Sequence, residues 1–177
     1  MNLDLTQFRQ PETDVSRRYD PEHFEGRAGQ FRVVEPVQLK FKVYKDHARY
    51  RLVGRIQTSL ELACSRCLEA FRLPVDSAFD IRYLPQSENT GNHEREVEED
   101  DLSDAYYRDE QIDLMQLIEE QFYLALPMKP LCREDCKGLC ASCGTNLNEV
   151  TCTCEVRWED PRLAGLKAII NRDNDNA

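Results

Sequence analysis

Eight cysteines in four close pairs carry the clearest chemical signal in this sequence. The pairs have CxxC, CxxxC, CxxC and CxC spacing, and in chain order they are Cys64 and Cys67, Cys132 and Cys136, Cys140 and Cys143, and Cys152 and Cys154. Two thiolates one to three residues apart can bind one ion from a single turn, and two such turns complete a tetrahedral shell. A disulfide within a CxxC or CxC pair would be strained and would close a very short loop, so it would stabilise little. The spacing therefore predicts two zinc sites of four thiolates each.

The third and fourth pairs form the more compact of the two predicted sites. Cys140-Ala-Ser-Cys143, followed by Gly144, has the form of a zinc knuckle, a turn whose backbone N–H groups can point at the two sulfurs. Gly144 permits the positive φ that closes such a turn. Cys152 and Cys154 are two residues apart, so on an extended strand both side chains face the same way. These four cysteines are predicted to share one ion.

The first and second pairs remain for the other ion, and they join distant parts of the chain. This predicted set is Cys64, Cys67, Cys132 and Cys136. An alternative joins the second pair to the third and leaves the first and fourth pairs for the other ion. Only three residues separate the second pair from the third, so this alternative crowds two turns together and is less favoured.

The sequence offers little support for catalysis. A catalytic zinc keeps an open coordination position and usually has histidine or carboxylate ligands, whereas eight cysteines fill two sites. The three histidines are scattered, and the chain has no phosphate-binding glycine loop, GxSxG or HExxH motif. We therefore expect a protein that is not an enzyme and has no small-molecule substrate. CxxC together with CxC also resembles the zinc switches of redox-regulated chaperones, so a redox-responsive zinc protein is the alternative.

Hydropathy alternation predicts an antiparallel sheet between residues 31 and 83. The stretch from Val37 to Tyr44 alternates apolar and polar side chains, which is typical of a strand with one buried face. Comparable stretches cover residues 50–63 and 71–83. The CxxC of the first cysteine pair lies between these two, at a turn of a β-meander.

One amphipathic helix is predicted at residues 113–126. Asp113 can cap its start, with Gln116 as the capping-box partner, and Pro127 marks its end. Its apolar face is predicted to cover the sheet and consists of Leu114, Leu117, Ile118, Phe122 and Ala125. A second short helix is predicted from Pro161 to Ile170.

These elements predict an α+β fold, an antiparallel β-meander covered by a helix, with a C-terminal cysteine-rich zinc-binding segment and a short terminal helix. The predicted organisation is an extended N-terminal arm over residues 1–30, the sheet and helix over residues 31–128, and the zinc-binding segment over residues 129–177. Residues 86–110 are acidic and nearly free of aliphatic side chains, which predicts an acidic loop within the middle region.

The net charge of −10 is unevenly distributed along the chain. Residues 31–82 carry ten basic and six acidic side chains, whereas residues 86–110 carry two basic and ten acidic ones. This pattern excludes a general polyanion binder and restricts any RNA contact to the basic strand region. The candidates for phosphate contacts are Lys40, Lys42, Arg49, Arg51 and Arg55. The acidic loop is a candidate docking segment for a basic partner such as a ribosomal protein.

The start of the sequence does not have the pattern of a conventional secretory signal. The residues after Met1 have neither a basic start nor an apolar run, and no stretch of the sequence approaches transmembrane length. We therefore expect a cytoplasmic protein without membrane association. The reducing cytoplasm also favours metal binding over disulfides for the eight cysteines.

Several motifs of the chain resemble those of one known family. In order they are Pro36-Val37, Gly54, Ala63-Cys64-Ser-Arg-Cys67-Leu-Glu-Ala-Phe71, Leu124-Ala-Leu-Pro127 and the run LCREDCKGLCASCGTNLN from Leu131 to Asn148. Together they resemble the YceD family, the large ribosomal RNA subunit accumulation proteins of bacteria and chloroplasts, over about residues 20–170. The resemblance implies a non-enzymatic factor that supports 23S ribosomal RNA accumulation and large-subunit synthesis or assembly. Its implied partners are ribosomal RNA, a large-subunit ribosomal protein, or both.

Overall fold

The computed structural model describes residues 1–24, 29–88 and 104–154. The chain divides into two compact units, Met1–Ser65 with Glu69–Cys132 and Arg66–Leu68 with Arg133–Ala177, and the second is described as far as residue 154. The described elements are β1 (Asn2–Asp4), β2 (Glu12–Tyr19), β3 (Arg32–Val33), β4 (Val37–Asp46), β5 (Arg49–Ala63), β6 (Ala70–Pro85), β7 (Asp104–Tyr107), β8 (Gln111–Asp113) and α1 (Leu114–Ala125).

The first unit contains a large sheet with the strand order β2-β4-β5-β6-β7, in which β3 pairs with β5 beyond the end of β4. Strands β4, β5 and β6 are sequential and antiparallel, so the predicted meander is confirmed. The Cys64–Cys67 turn connects β5 to β6, as the sequence predicts. Among the described residues, one α-helix on a mostly β structure agrees with the predicted α+β class.

The N-terminal region differs from an extended arm, because its strands belong to sheets. β2 pairs with β4 along its whole length, from Glu12 opposite Tyr44 to Tyr19 opposite Val37. β1 pairs with β8 to form a separate two-stranded sheet. The polar sequence of β2 suggested an arm, but an edge strand with a solvated face accepts polar side chains, and pairing satisfies its backbone N–H and C=O groups.

The predicted acidic loop also contains regular structure at its end. Residues 104–107 form β7, which pairs in parallel with β6, and Tyr107 is buried against the ring of Tyr50. The Tyr107 hydroxyl donates a hydrogen bond to the carbonyl oxygen of Ala48 at 2.9 Å. These aromatic contacts compensate for the scarcity of aliphatic side chains in this stretch. Residues 89–103 lie outside the described part of the chain.

The core lies between the inner face of the large sheet and α1. Alternate residues of β4 are buried, which confirms the predicted period of two. Leu117, Ile118 and Phe122 of α1 are almost completely buried, and each contributes about 1.5–3 kcal/mol by leaving water. The ring of Phe122 also packs on Phe24 and Phe31, which lie on the segments between β2 and β4.

The start of α1 agrees with the sequence except in one contact. Asp113 is the N-cap, and its carboxylate accepts a hydrogen bond from the backbone N–H of Met115 at 2.8 Å. Gln116 does not complete a capping box, because its side-chain amide donates instead to Glu120 one turn later. The predicted helix at residues 161–170 lies outside the described residues.

Gly54 allows the meander to bring three strands together closely. It lies on β5 opposite Phe41 on one side and Phe79 on the other. A Cβ atom at residue 54 would lie 2.4 Å from both the carbonyl oxygen of Lys40 and the Cβ of Phe41. Phe41 and Phe79, whose ring centroids are 6.4 Å apart, flank this position on the two neighbouring strands.

The described part of the second unit consists mainly of turns. Backbone hydrogen bonds such as Leu147 N–H to the Gly138 carbonyl, and the bridge between Leu139 and Asn146, connect these turns. The buried hydrophobic side chains among its described residues are three cysteines, Cys67, Cys136 and Cys140. Little apolar side-chain surface is therefore buried among the described residues of this unit.

Candidate metal centres and a charged sheet face

The structure brings the eight cysteines together in two groups of four. One group is Cys64, Cys67, Cys132 and Cys136, and the other is Cys140, Cys143, Cys152 and Cys154. Within each group all four sulfur atoms lie within 4.8 Å of one another. This grouping is the one that the sequence favours, and the alternative that joined the second pair to the third was wrong.

The sulfur geometry fits a metal ion better than disulfides. Cys152 Sγ lies 3.5 Å from Cys143 Sγ and 3.6 Å from Cys140 Sγ, and none of the eight cysteines is in a disulfide. A disulfide requires sulfurs about 2.05 Å apart. Four sulfurs about 2.3 Å from a tetrahedral zinc are about 3.8 Å from one another, close to the distances in the second group. Two four-cysteine clusters of this kind can hold metal ions.

The second group is built on a knuckle whose backbone geometry follows from Gly144. The N–H of Cys140 donates to the Thr145 carbonyl at 2.8 Å, and the N–H of Gly144 donates back to the Cys140 carbonyl at 2.9 Å. Gly144 has a φ of 73°, in the left-handed region that favours glycine. The predicted knuckle and the role of Gly144 are both confirmed.

The CxxC of the first group forms a turn with matching features. The N–H of Cys64 donates to the Glu69 carbonyl at 2.9 Å, the counterpart of the bond between Cys140 and Thr145. Leu68 occupies the position of Gly144 and has a φ of 63°. A leucine in this region is strained, and its side chain remains 67% exposed. The turn requires a positive φ at this position, and this requirement outweighs the preference of leucine for a negative φ.

Arg66 supports this turn through hydrogen bonds that the sequence does not reveal. Its guanidinium donates to the carbonyls of Glu134 and Cys136, at 3.3 Å and 2.8 Å. Its own carbonyl accepts from the N–H of Leu139 at 3.1 Å. A Cβ at Gly138 would lie 3.1 Å from the same carbonyl oxygen, so the glycine permits this close approach. An arginine between two cysteines gives no sequence signal for such contacts.

Asn148 is a second supporting residue that sequence reasoning missed. Its side-chain Nδ2 donates to the sulfur of Cys136 at 3.4 Å, and its Oδ1 accepts from the N–H of Lys137 at 2.8 Å. Asn146 fixes the orientation of this amide, because its Oδ1 accepts from Asn148 Nδ2 at 2.8 Å. Residues that hydrogen-bond to metal ligands orient them and adjust their charge. An asparagine near a cysteine motif is the only sequence signal for this role.

The thiols of the second group differ in their acidity. Hydrogen bonding with the side chain and backbone of Thr145 lowers the pKa of Cys143 to about 6. The nearby sulfurs of Cys152 and Cys143 raise the pKa of Cys154 to about 12. Cys143 therefore forms a thiolate readily near neutral pH. Cys154 resists losing its proton, because its negative charge would lie close to that of the first thiolate. A bound cation would remove this resistance and release the protons.

The five cations predicted to contact RNA share the outward face of the large sheet. Lys40 lies opposite Arg55, and Arg51 lies opposite Tyr44, so their side chains point to the same side of neighbouring strands. All five are exposed. This face also carries carboxylates, and four of the five cations form ion pairs: Lys42 with Glu12, Arg49 with Glu88, Arg51 with Asp80, and Arg55 with Asp76.

Lys40 differs from the other four cations, because no described residue forms an ion pair with it. The acidic partners explain why basic residues concentrated in the sequence do not produce a strongly positive surface. The guanidinium of Arg51 pairs with both oxygens of Asp80, which lowers the pKa of that carboxyl. The outward sheet face therefore carries positive and negative side chains that are paired with one another.

No helix among the described residues is long and apolar enough to cross a bilayer. Comparison with known proteins then identifies the chain more closely. A model of the large ribosomal RNA subunit accumulation protein YceD matches residues 52–170. The chain belongs to the YceD family. The matched YceD region contains all eight cysteines and Arg55, whereas Lys40, Lys42, Arg49 and Arg51 precede it.

Two relatives carry the name large ribosomal RNA subunit accumulation protein YceD homolog 1, chloroplastic. The maize protein is 28% identical over 145 residues, which cover 69% of this chain and 50% of the relative. The Arabidopsis thaliana protein is 28% identical over 140 residues, covering 67% of this chain and 44% of the relative. An uncharacterized protein of Mycobacterium bovis is 38% identical over 114 residues, with 63% and 51% covered. This YceD chain thus spans about half the length of these relatives, and no solved structure matches it.

Proposed function

We propose that this protein supports the accumulation of 23S ribosomal RNA, and thereby the synthesis or assembly of the large ribosomal subunit, without catalysing a reaction. The YceD match over residues 52–170 is the observation that carries this proposal. The names of the maize and Arabidopsis relatives support it, because both refer to accumulation of the large ribosomal RNA subunit. The protein would act with ribosomes in the cytoplasm, and its partners would be ribosomal RNA, a large-subunit ribosomal protein, or both.

The two cysteine groups are proposed as structural zinc sites. Their four-sulfur composition supports this assignment, because four thiolates complete the coordination of zinc and leave no position for a water or substrate. When bound, zinc supplies a fixed tetrahedral attachment for its ligands. Arg66 and Asn148 would hold the backbone and one sulfur of the first group in position for it. A closed site of this kind is consistent with a factor that is not an enzyme.

The outward sheet face is proposed to contact RNA phosphates through Lys40, Lys42, Arg49, Arg51 and Arg55. Their exposure on adjacent strands supports this role. Ion pairs between exposed side chains contribute little to stability, so their cations can exchange a carboxylate for a phosphate at small cost. Lys40 needs no such exchange with a described residue. The acidic stretch around residues 86–110 is proposed to contact a basic large-subunit ribosomal protein.

Depletion of the protein in the organism that encodes it tests the function directly. We expect a lower ratio of 23S to 16S ribosomal RNA and fewer mature large subunits on a sucrose gradient. The tagged protein should sediment with precursor large subunits at low salt. A variant with glutamate at all five proposed phosphate-binding positions should fail to restore the ratio while it retains its metal. Normal 23S levels after complete depletion would contradict the proposed function.

A redox-responsive zinc switch is the second candidate, and the exposure of the second cysteine group favours it. Cys143 and Cys154 are exposed, whereas Cys64, Cys67 and Cys136 are buried. Peroxide would oxidise the thiolates of Cys143 and Cys152 to one disulfide, and the two electrons released, together with two protons from the solvent, would reduce the peroxide to two water molecules. The metal would leave because two ligands are lost. A switch should release one ion per protein under mild peroxide, whereas purely structural sites should retain both.

A further inference from the structure

One end of the outward sheet face forms a groove of about 560 Å³. The proposed phosphate contacts do not account for the exposed tyrosines that line it. It lies over β4, β5, β6 and β7, and the 3₁₀ turn Gln86–Glu88 contributes Glu88 to its wall. Tyr44 and Tyr106 both line it, with 37% and 41% of their surfaces exposed. Exposed tyrosines on two strands of one sheet face provide flat apolar faces beside polar groups.

Three arginines lie between the two tyrosines. Across the sheet, Tyr44 is opposite Arg51, Arg51 is opposite Arg82, and Arg82 is opposite Asp104, two residues before Tyr106. The third is Arg49, which also lines the groove. With strands about 4.8 Å apart, the three steps from β4 to β7 span about 14 Å. This length accommodates about four stacked nucleotides at about 3.4 Å each, or fewer when the bases are splayed apart.

Each of these arginines is paired with a carboxylate, which orients its guanidinium. Arg82 Nε donates to Asp104 at 2.8 Å, Arg51 Nε donates to Asp80 at 2.7 Å, and Arg49 donates to Glu88 at 3.2 Å. The side chain of Asp104 is only 12% exposed, so its pair with Arg82 is the least solvated of the three. A guanidinium whose plane is fixed can stack on a flat ring without losing further side-chain entropy.

The mixed charge of the groove identifies the chemistry of its ligand. Its lining contains four cations and three carboxylates, and the Nζ of one cation, Lys45, already donates to the Phe8 carbonyl. A site for phosphate or for an acidic peptide would have a large excess of positive charge, because nearby carboxylates repel both. An unpaired nucleobase is neutral and flat. Its edge carries both hydrogen-bond donors and acceptors, which match carboxylates and guanidinium groups side by side.

We propose that this groove binds unpaired bases of single-stranded RNA, with Tyr44 and Tyr106 as stacking platforms and the arginines between them as base contacts. The proposal deepens the RNA-binding function above and rests on it. Duplex RNA is excluded from the groove, because its bases are stacked on one another and its edges are paired. The rest of the outward face, which includes Lys40, Lys42 and Arg55, then supplies the phosphate contacts along the strand, and Arg49 and Arg51 contact bases instead of the phosphates assigned to them above.

The test measures binding of the metal-loaded full chain to a short labelled RNA from 23S ribosomal RNA, as a single strand and annealed to its complement. We expect the single strand to bind more tightly. Replacing both tyrosines, Tyr44→Ala with Tyr106→Ala, should weaken binding to the single strand by at least about tenfold, because one base–aromatic stack alone is worth that much. The matched control, Tyr44→Phe with Tyr106→Phe, keeps the rings and should bind as the wild type does.

Salt dependence separates the groove from the phosphate contacts. The double alanine variant should keep the wild-type slope of binding against salt, because no phosphate contact is lost. Lys40→Gln should reduce that slope by about 0.7, the value for one phosphate in a single strand. Metal content and thermal melting check that each variant is folded.

Three outcomes would overturn the proposal. Wild-type affinity in a folded double alanine variant, together with weaker RNA binding by the five-cation variant, would overturn the groove and leave the RNA-binding function standing. Equal affinity of the wild type for single-stranded and duplex RNA would do the same. Failure of the wild type to bind either RNA would remove both the groove proposal and the RNA-binding function.

Discussion

Asn148 donates a hydrogen bond from Nδ2 to the sulfur of Cys136, across 3.4 Å. The same side chain accepts from the N–H of Lys137, so it connects the first cysteine group to the turn that follows Cys136. An N–H group directed at sulfur stabilises the thiolate form, which is the form that binds metal.

Asn148→Ala should weaken metal binding at the first group by about 10–100-fold, the usual effect of removing such a supporting contact. Chelator competition that resolves the two ions measures this change. The ion of the second group is an internal control and should keep its affinity. Equal weakening at both groups would mean that the substitution loosens the whole second unit instead of acting on Cys136.

Cys64→Ser and Cys152→Ser should each remove one of two bound zinc ions, because each residue belongs to a different group. Metal analysis of the purified variants gives the stoichiometry and also distinguishes zinc from iron. Loss of both ions from either variant would show that the groups depend on each other. A wild-type protein that contains no metal, or that contains disulfides, would remove the zinc assignment.

Cys143 should be the first thiol to react with iodoacetamide in the metal-free protein at pH 7. It is exposed and its pKa is about 6, so it is mainly a thiolate at this pH. The pKa of Cys154, at about 12, keeps that exposed thiol protonated and slow to react. Lowering the pH from 7 to 5 should therefore slow the labelling of Cys143. Peptide mass spectrometry identifies the order, and first labelling of Cys154 would contradict it.

Gly54→Ala should lower the free energy of unfolding by about 1–3 kcal/mol, the usual cost of forcing atoms into a packed region. The added Cβ would lie 2.4 Å from the Lys40 carbonyl and from the Cβ of Phe41, so β4 and β5 must separate. Urea unfolding of the metal-loaded protein measures the change. Gly29→Ala is the matched control, because no atom of the described residues lies within 4 Å of a Cβ at that position.

The two cysteine turns offer a paired test of backbone strain. Leu68→Gly should be neutral or should stabilise the metal-loaded protein by up to about 1 kcal/mol, because leucine is disfavoured at a φ of 63°. Gly144→Ala should destabilise it by about 1 kcal/mol, since the added Cβ is strained at a φ of 73°. Urea unfolding compares the two variants. Strong destabilisation by Leu68→Gly would show that the exposed leucine side chain itself makes a required contact.

The sequence predicted those features that depend on local spacing. The alternation in β4, the Asp113 cap and the knuckle at Gly144 each follow from a few neighbouring residues, and the structure confirms them. The cysteine grouping was also favoured by the sequence, because the alternative weighed against it crowded two turns together. β2 and β7 were missed because their pairing depends on strands far away in the chain.

The contacts that support the cysteine groups could not be predicted either, because they also depend on residues far away in the chain. Arg66 and Asn148 act through hydrogen bonds to residues that the fold brings near, and neither residue type is a metal ligand. The ion pairs on the outward face were equally hidden, since Arg51 and Asp80 are neighbours only after β5 pairs with β6. Charge counted along the chain therefore overstated how basic this face is.

The burial of Cys64, Cys67 and Cys136 has a consequence for how fast a bound ion would exchange. Three of the four ligands of the first group are shielded from solvent, and the fourth, Cys132, is half-buried. An ion held there should therefore exchange more slowly than one held by the second group, in which Cys143 and Cys154 are exposed.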